Sequence, residues 1–227
     1  MDVEIWSDIA CPWCYIGKRR FEAALAEFGH RDDVRVTWRS FELDPEAPHE
    51  HEGDRAARLA EKYGMTIEQA HEAGRRITDV AASEGLDFRF DISRSGSTFD
   101  AHRIVHLAAE HGLQDAMKER LLRAYFTEGE LVSDDETLIR LAVEVGLAED
   151  EVREALVGER YAEEVRDDER LAGQLGIRAV PTFVVDRALG VSGAEPPEAL
   201  LALLRQGWEA RDSQPVAVAA ESRGLDG

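Results

Sequence analysis

Trp6–Gly17, WSDIACPWCYIG, holds both cysteines of the 227-residue chain, Cys11 and Cys14. The residues ahead of the pair, VEIWSDI, alternate in part and read as a strand. Behind it, in CYIGKRRFEAALAEFG, Ile16, Phe21, Leu25 and Phe28 recur at near-helical spacing and Gly29 supplies a stop. Pro12 stands where that helix begins, a position that tolerates a missing N–H. Cys11 is then the N-cap and Cys14 lies one turn further in, on the same face. The two Cβ atoms come within reach of the ~3.8 Å separation of a disulfide. The positive end of the helix is expected to lower the Cys11 pKa, making it the attacking sulfur and Cys14 the resolving one.

A structural disulfide, half of a metal site and a redox pair all fit two cysteines this close. A bridge over two intervening residues closes too little chain to stabilise much. Zinc needs two further ligands. HRIVH offers His102 and His106, and HEH offers His49 and His51. The His102 pair lies 88 residues beyond Cys14 (102 − 14), far outside the ~12–15 of a finger motif, and a lone pair of histidines on a helix more often packs, caps or lies on the solvated surface. No metal is expected, and a pair that opens and closes is the reading kept.

VRVTWRSFEL follows, with Val34, Val36, Trp38 and Ser40 alternating against Arg35, Thr37, Arg39 and Phe41. Strand, helix, strand calls for a parallel pair with a crossover helix. From about 54 to 175 only helical patterns occur. Thr66 with Gln69, and Ser133 with Glu136, are spaced as capping boxes. Residues 149–175 form one or two helices ending at Gly176. Strand patterns return in AVPTFVVD and GVSG, followed by the helix PPEALLALLRQGWEA. The expected organisation is α/β: a two-part unit, 1–43 and 178–210, interrupted by a helical insertion at 44–177, with a flexible tail at 211–227.

Acidic residues outnumber basic ones by 47 to 27, a net charge of −20 that repels phosphate backbones and anionic lipid. Nucleic-acid and membrane roles are therefore excluded as partners. No apolar run approaches the roughly 18 residues of a membrane span. MDVEIWSDIA lacks the pattern of a signal peptide, so a cytoplasmic location is expected.

The segments DIACPWCYIGKRRFE, WRSFELDP, AHRIVHLAAEHG, LLRAYFTEGE and GIRAVPTFVVD together resemble the DsbA-like branch of the thioredoxin superfamily, most closely its FrnE-like members. The resemblance spans residues 3 to about 208. It implies a thioredoxin fold with a helical insertion, Cys11 as the exposed nucleophile and Cys14 as the resolving thiol. It also implies a cis Val180–Pro181 bond facing the pair, with the Val180 backbone binding extended substrate. Pro12 and Trp13 modulate the pair, and Trp13 and Val180 line an apolar groove. Tyr15 and Phe41 are expected in the core, Lys18 and Arg19 on the solvated surface. Strongly oxidising members carry Pro-His where this chain has Pro12-Trp13. A Cys11 pKa above ~3.5 and a potential less oxidising than ~−120 mV are therefore expected.

The function implied is thiol–disulfide exchange on thiol- or disulfide-containing proteins or peptides. It needs no cofactor beyond the redox-active disulfide itself, with glutathione as a candidate co-substrate. Two alternatives stand beside it. One is a glutathione-dependent small-molecule isomerase of the same fold, which typically has serine where this chain has Cys11. The other is a non-enzymatic, chaperone-like binding protein.

Overall fold

The computed structural model describes residues 1–212. β1 (Asp2–Ser7) and β2 (Arg35–Ser40) run parallel, joined by α1 (Pro12–Glu27). β3 (Thr182–Val185) pairs antiparallel with the other edge of β1, and β4 (Leu189–Ser192) with β3, giving the order β2-β1-β3-β4. α9 (Pro197–Asp212) packs against α1. The chain between β2 and β3 is helical: α2 (Arg55–Tyr63), α3 (Ile67–Ser83), α4 (Phe99–Glu110), α5 (Gln114–Arg123), α6 (Asp135–Val145), α7 (Glu149–Val157) and α8 (Ala162–Gln174). A π-helical turn, Ala124–Glu128, extends α5. This is the fold class read from the sequence. α9 runs two residues past the boundary expected at 210, and the rest of the expected tail, 213–227, lies outside the described residues.

Alternation along β1 sends its side chains to opposite faces. Val3 and Ile5 share one core with Phe21 of α1, Phe183 and Val185 of β3, and Leu200 and Leu204 of α9. That core runs on without a break into the helical region through Leu107, Met117, Leu121 and Phe126. Trp6 takes the other face and packs in a smaller cluster with Cys11, Cys14, Val180, Val184 and Ala172 of α8.

Polar ties fix α8 on this second face. The Trp6 indole donates to the Asp168 carbonyl at 3.0 Å. The buried Asp168 carboxylate accepts from the Ser40 amide and from Arg39 Nη1, each at 2.9 Å. His106 Nε2 of α4 stands 3.1 Å from the same carboxylate and 3.1 Å from Ser40 Oγ. The segment that leaves α8 is thereby delivered to the end of β1, next to the cysteines.

The Thr66–Gln69 capping box forms as expected. The Ser133–Glu136 box does not. Asp134 caps α6 instead, its carboxylate accepting from the Thr137 amide at 2.9 Å. Ser133 is drawn away because its hydroxyl donates to the His49 carbonyl.

Candidate active site

β1 ends at Ser7, and three residues carry the chain to Cys11, the N-cap of α1, with Pro12 opening the helix. The Cys14 amide donates to the Cys11 carbonyl at 3.0 Å, closing the first turn and stacking the two thiols on one side of it. Both cysteines are unbridged and buried.

The Val180–Pro181 bond is cis, and the Cys11 thiol donates to the Val180 carbonyl across 3.5 Å. Pro181 in turn lies on Gly17 of α1, close enough that a Cβ at Gly17 would meet Pro181 Cγ at 2.8 Å. Cys11, Cys14, Val180 and Pro181 are thus brought together. Trp13, between the cysteines, is 40% exposed, and Val180 is buried in the cysteine cluster. Phe41 packs at the edge of the cysteine cluster.

Two sequence expectations change. Cys11 is not exposed: the cis-proline loop, Trp6 and α8 cover it to 4% exposure. Its thiol also makes no capping bond to the helix. The hydrogen bond with the Cys14 side chain, then burial, push the Cys11 pKa well above its ordinary value. The charge of Cys14 adds to this, and the Cys14 amide acts the other way without prevailing. In the dithiol form the helix N-terminus is therefore outweighed by desolvation and a second sulfur.

A buried polar cluster lies beneath the pair. The Asp8 carboxylate accepts from the Leu43 amide at 2.8 Å and the Ala10 amide at 3.3 Å, and His102 Nε2 of α4 stands 3.4 Å from it. Burial works to raise the Asp8 pKa, yet His102, the Leu43 amide and Lys118 hold the carboxyl below its ordinary range. Burial pushes His102 down, against Asp8. Lys118 of α5 is fully buried and donates to the Ser7 carbonyl at 3.0 Å.

A family profile describing the DSBA-like thioredoxin domain matches residues 2–205. The chain belongs to this family. It is 49% identical to a probable DsbA oxidoreductase from Streptomyces coelicolor, whose crystal structure superposes with a TM-score of 0.91 over 100% of this chain and 97% of that one. Protein YwbO of Bacillus subtilis (strain 168), described as uncharacterized, is 29% identical over 185 residues, 81% of this chain and 86% of its own. The cytosolic disulfide reductase DsbM from Pseudomonas aeruginosa shares the fold at 20% identity, with a TM-score of 0.64 over 92% of this chain and 100% of that one.

In this DsbA-like protein Lys18 is buried rather than solvated. It is ion-paired with Glu22 of its own helix and with Asp115 and Glu119 of α5, the latter two at 3.3 and 3.1 Å. Arg19 pairs with Glu22 and Glu119. These cations join α1 to α5 and are spent on carboxylates. Tyr15 is in the core as expected, its hydroxyl donating to Glu119 at 2.7 Å. Of the histidines weighed as metal ligands, His102 faces Asp8, and His106 faces Ser40 and Asp168.

Asp8, His102 and Lys118 escaped notice as a group in the sequence. A signal for Lys118 existed, because Met117, Lys118, Leu121, Leu122 and Tyr125 form one buried stripe. A lysine inside such a stripe is a departure from amphipathic pattern. Nothing local linked it to the cysteines.

Proposed function

We propose that this DsbA-like protein is a dithiol–disulfide oxidoreductase of proteins and peptides, working in the cytoplasm. The observation that carries the reading is the Cys11 thiol held against the Val180 carbonyl at 3.5 Å. A sulfur and a backbone hydrogen-bonding edge at one place suit an extended peptide, which binds by its main chain while its disulfide reaches the thiol. The Cys11 thiolate attacks one substrate sulfur. A new S–S bond forms, the substrate's own bond breaks, and one substrate thiolate leaves. Cys14 then attacks the Cys11 sulfur and releases the second substrate thiolate, so the substrate gains two electrons and the pair becomes a disulfide. A thiol donor, with glutathione as the candidate, returns the pair to the dithiol. The same steps reversed oxidise a substrate dithiol.

The Cys11 surroundings favour reduction. Strong oxidants of this type stabilise their reduced form through a low-pKa thiolate. Here burial and Cys14 push Cys11 the opposite way. The pair is therefore expected to lie well below ~−120 mV and near the ~−270 mV of a reductant.

Equilibration in graded glutathione buffers, with free thiols trapped by alkylation, measures this. A potential of about −200 mV or higher would turn the reading to oxidant or isomerase. Failure to form any reversible Cys11–Cys14 disulfide would remove it. With a model protein disulfide, Cys14→Ser should accumulate the mixed disulfide and Cys11→Ser should be inert. Glutathione-dependent isomerase activity surviving Cys14→Ser would favour the small-molecule alternative.

A further inference from the structure

Arginines withdrawn from solvent in this acidic chain are matched to carboxylates: Arg20 to Glu84, Arg39 to Asp168, Arg103 to Asp100 and Arg166 to Glu42. Arg55 and Arg58 of α2 depart from that pattern. Both are half-buried, and among the described residues neither has a carboxylate within ion-pair distance. Arg58 is braced by the chain around it. Its Nη1 donates to the Gly53 carbonyl at 2.9 Å and the Glu52 carbonyl at 3.2 Å, and its Nη2 donates to the Ser95 hydroxyl. The Arg55 side chain makes no hydrogen bond among the described residues; its guanidinium carbon lies over the Phe90 ring, 4.1 Å from the centroid. That contact uses no acceptor atom, so the planar fork of N–H donors stays unspent.

Both arginines line one cavity of about 450 Å³, a volume that suits a small ligand or a few residues of a peptide. Ala10 and Leu43 belong to the same wall. Ala10 directly precedes Cys11, and Leu43 stands two residues after Phe41, which packs against the cysteine cluster. Two stretches of chain thus run from the cavity to the cysteine pair. The acidic residues of the wall leave the arginines uncompensated. Asp8 is buried and accepts from the Leu43 and Ala10 amides, while Asp44 and Glu61 are exposed to solvent.

We propose that this cavity receives a carboxylate of an acidic peptide whose disulfide is exchanged at Cys11. This rests on the redox reading above and names the substrate class of that site. The Arg55 fork matches the two oxygens of a carboxylate, and Arg58 beside it adds a second, fixed positive charge. An extended peptide covers about 3.3–3.6 Å per residue. Acidic side chains two to four positions from the reacting cysteine are therefore the ones that reach the cavity. The net charge of −20 gives the proposal a sharp contrast. Without such a site the protein repels an acidic peptide and exchanges it more slowly than a neutral one, and salt relieves the difference. With the site, both the order and the salt dependence are reversed.

Two synthetic peptides test this, each with a single cysteine blocked as its 2-pyridyl disulfide. One carries aspartate at the second to fourth positions on both sides of the cysteine, and the other carries asparagine there. Cys11 attack joins its sulfur to the peptide sulfur and releases 2-thiopyridone, read by absorbance. At low peptide concentration the aspartate peptide should react about tenfold faster, and added salt should shrink the gap. Arg55→Met should bring the aspartate peptide down to the rate of the asparagine peptide. Arg55→Lys keeps the charge, loses the fork, and should keep only part of the preference. Equal rates with the wild-type protein, or a slower aspartate peptide that gains from salt, would overturn the proposal. So would a preference that survives Arg55→Met.

The order of the two peptides and its response to salt are read on the wild-type protein alone, so they stand even where a variant folds poorly. Release of thiopyridone from neither peptide would defeat the redox reading instead. The cavity is then tested by binding. A fluorescent aspartate peptide with serine in place of its cysteine should bind the wild-type protein about tenfold more tightly than the asparagine peptide does, measured by anisotropy. Equal affinities would refute the site.

Discussion

Gly17 and Pro181 touch across the junction of α1 and the loop before β3: a Cβ on Gly17 would come within 2.8 Å of Pro181 Cγ and 3.4 Å of the Phe183 ring. Glycine here is a matter of space and not of backbone angle. The same loop carries the Val180 carbonyl that receives the Cys11 thiol. Gly17→Ala should therefore destabilise the fold by about 1–3 kcal/mol through overpacking. It should also slow Cys11 attack on a disulfide without removing either thiol. Denaturant unfolding and the first-phase rate with an aromatic disulfide measure the two effects. An alanine variant of wild-type stability and rate would show that the loop yields freely.

Asp168 holds α8 to the sheet through the Ser40 amide, Arg39 and His106, and it is 3% exposed. Removing one member of a buried pair leaves the other charge uncompensated. Asp168→Ala should cost about 3–5 kcal/mol, measurable in urea. Because α8 leads into the Val180 loop, thiol exchange should slow as well. Asp168→Asn keeps one acceptor oxygen and should lose less on both counts.

Much of this architecture was legible because it is written locally. The period-2 runs of β1 and β2, the proline-opened helix and the Thr66–Gln69 box each depend on residues a few positions apart. The closeness of Cys11 to Val180 came only through resemblance, since 169 positions separate them. The buried state of Cys11 was not legible, because the residues covering it arrive from β1, α8 and the loop before β3. Lys18 was misjudged for the same reason: two of its three carboxylates belong to α5. Asp8, His102 and Lys118 come from three elements and meet only in the folded chain. Ser133 shows the reverse case, a sound local cap signal overridden by the tertiary bond to His49.

Glu42 gives the fold a pH dependence of definite sign. Burial, with Glu169 and Asp8, raises its pKa to about 7 against the hydrogen bond from Arg166. The unfolded value is about 4.3. Between the two the folded state binds more protons, so this group's contribution to stability is full below the unfolded value and is lost as pH rises to about 7. Glu42→Gln abolishes the titration. Its melting temperature relative to wild type should therefore rise between pH 5 and pH 8. A difference that stays level, or falls, would mean that Arg166 keeps the carboxylate ionised at little cost.

Trp13 is a large apolar side chain left 40% exposed between two buried cysteines, at the mouth of the site. Its neighbours Cys11 and Cys14 belong to the packed cluster beneath it, and the indole does not. An exposed indole beside the reacting sulfur is suited to a substrate backbone or side chain, and tryptophan is among the residues that dominate such contacts. Trp13→Ala should raise KM for a protein disulfide about tenfold, roughly 1.4 kcal/mol. The rate with a small aromatic disulfide should stay within about twofold, because that probe needs only Cys11. Comparing the two substrates on one variant separates the roles. If both rates fall together, Trp13 acts on the cysteine pair itself; if neither does, the substrate passes the indole by.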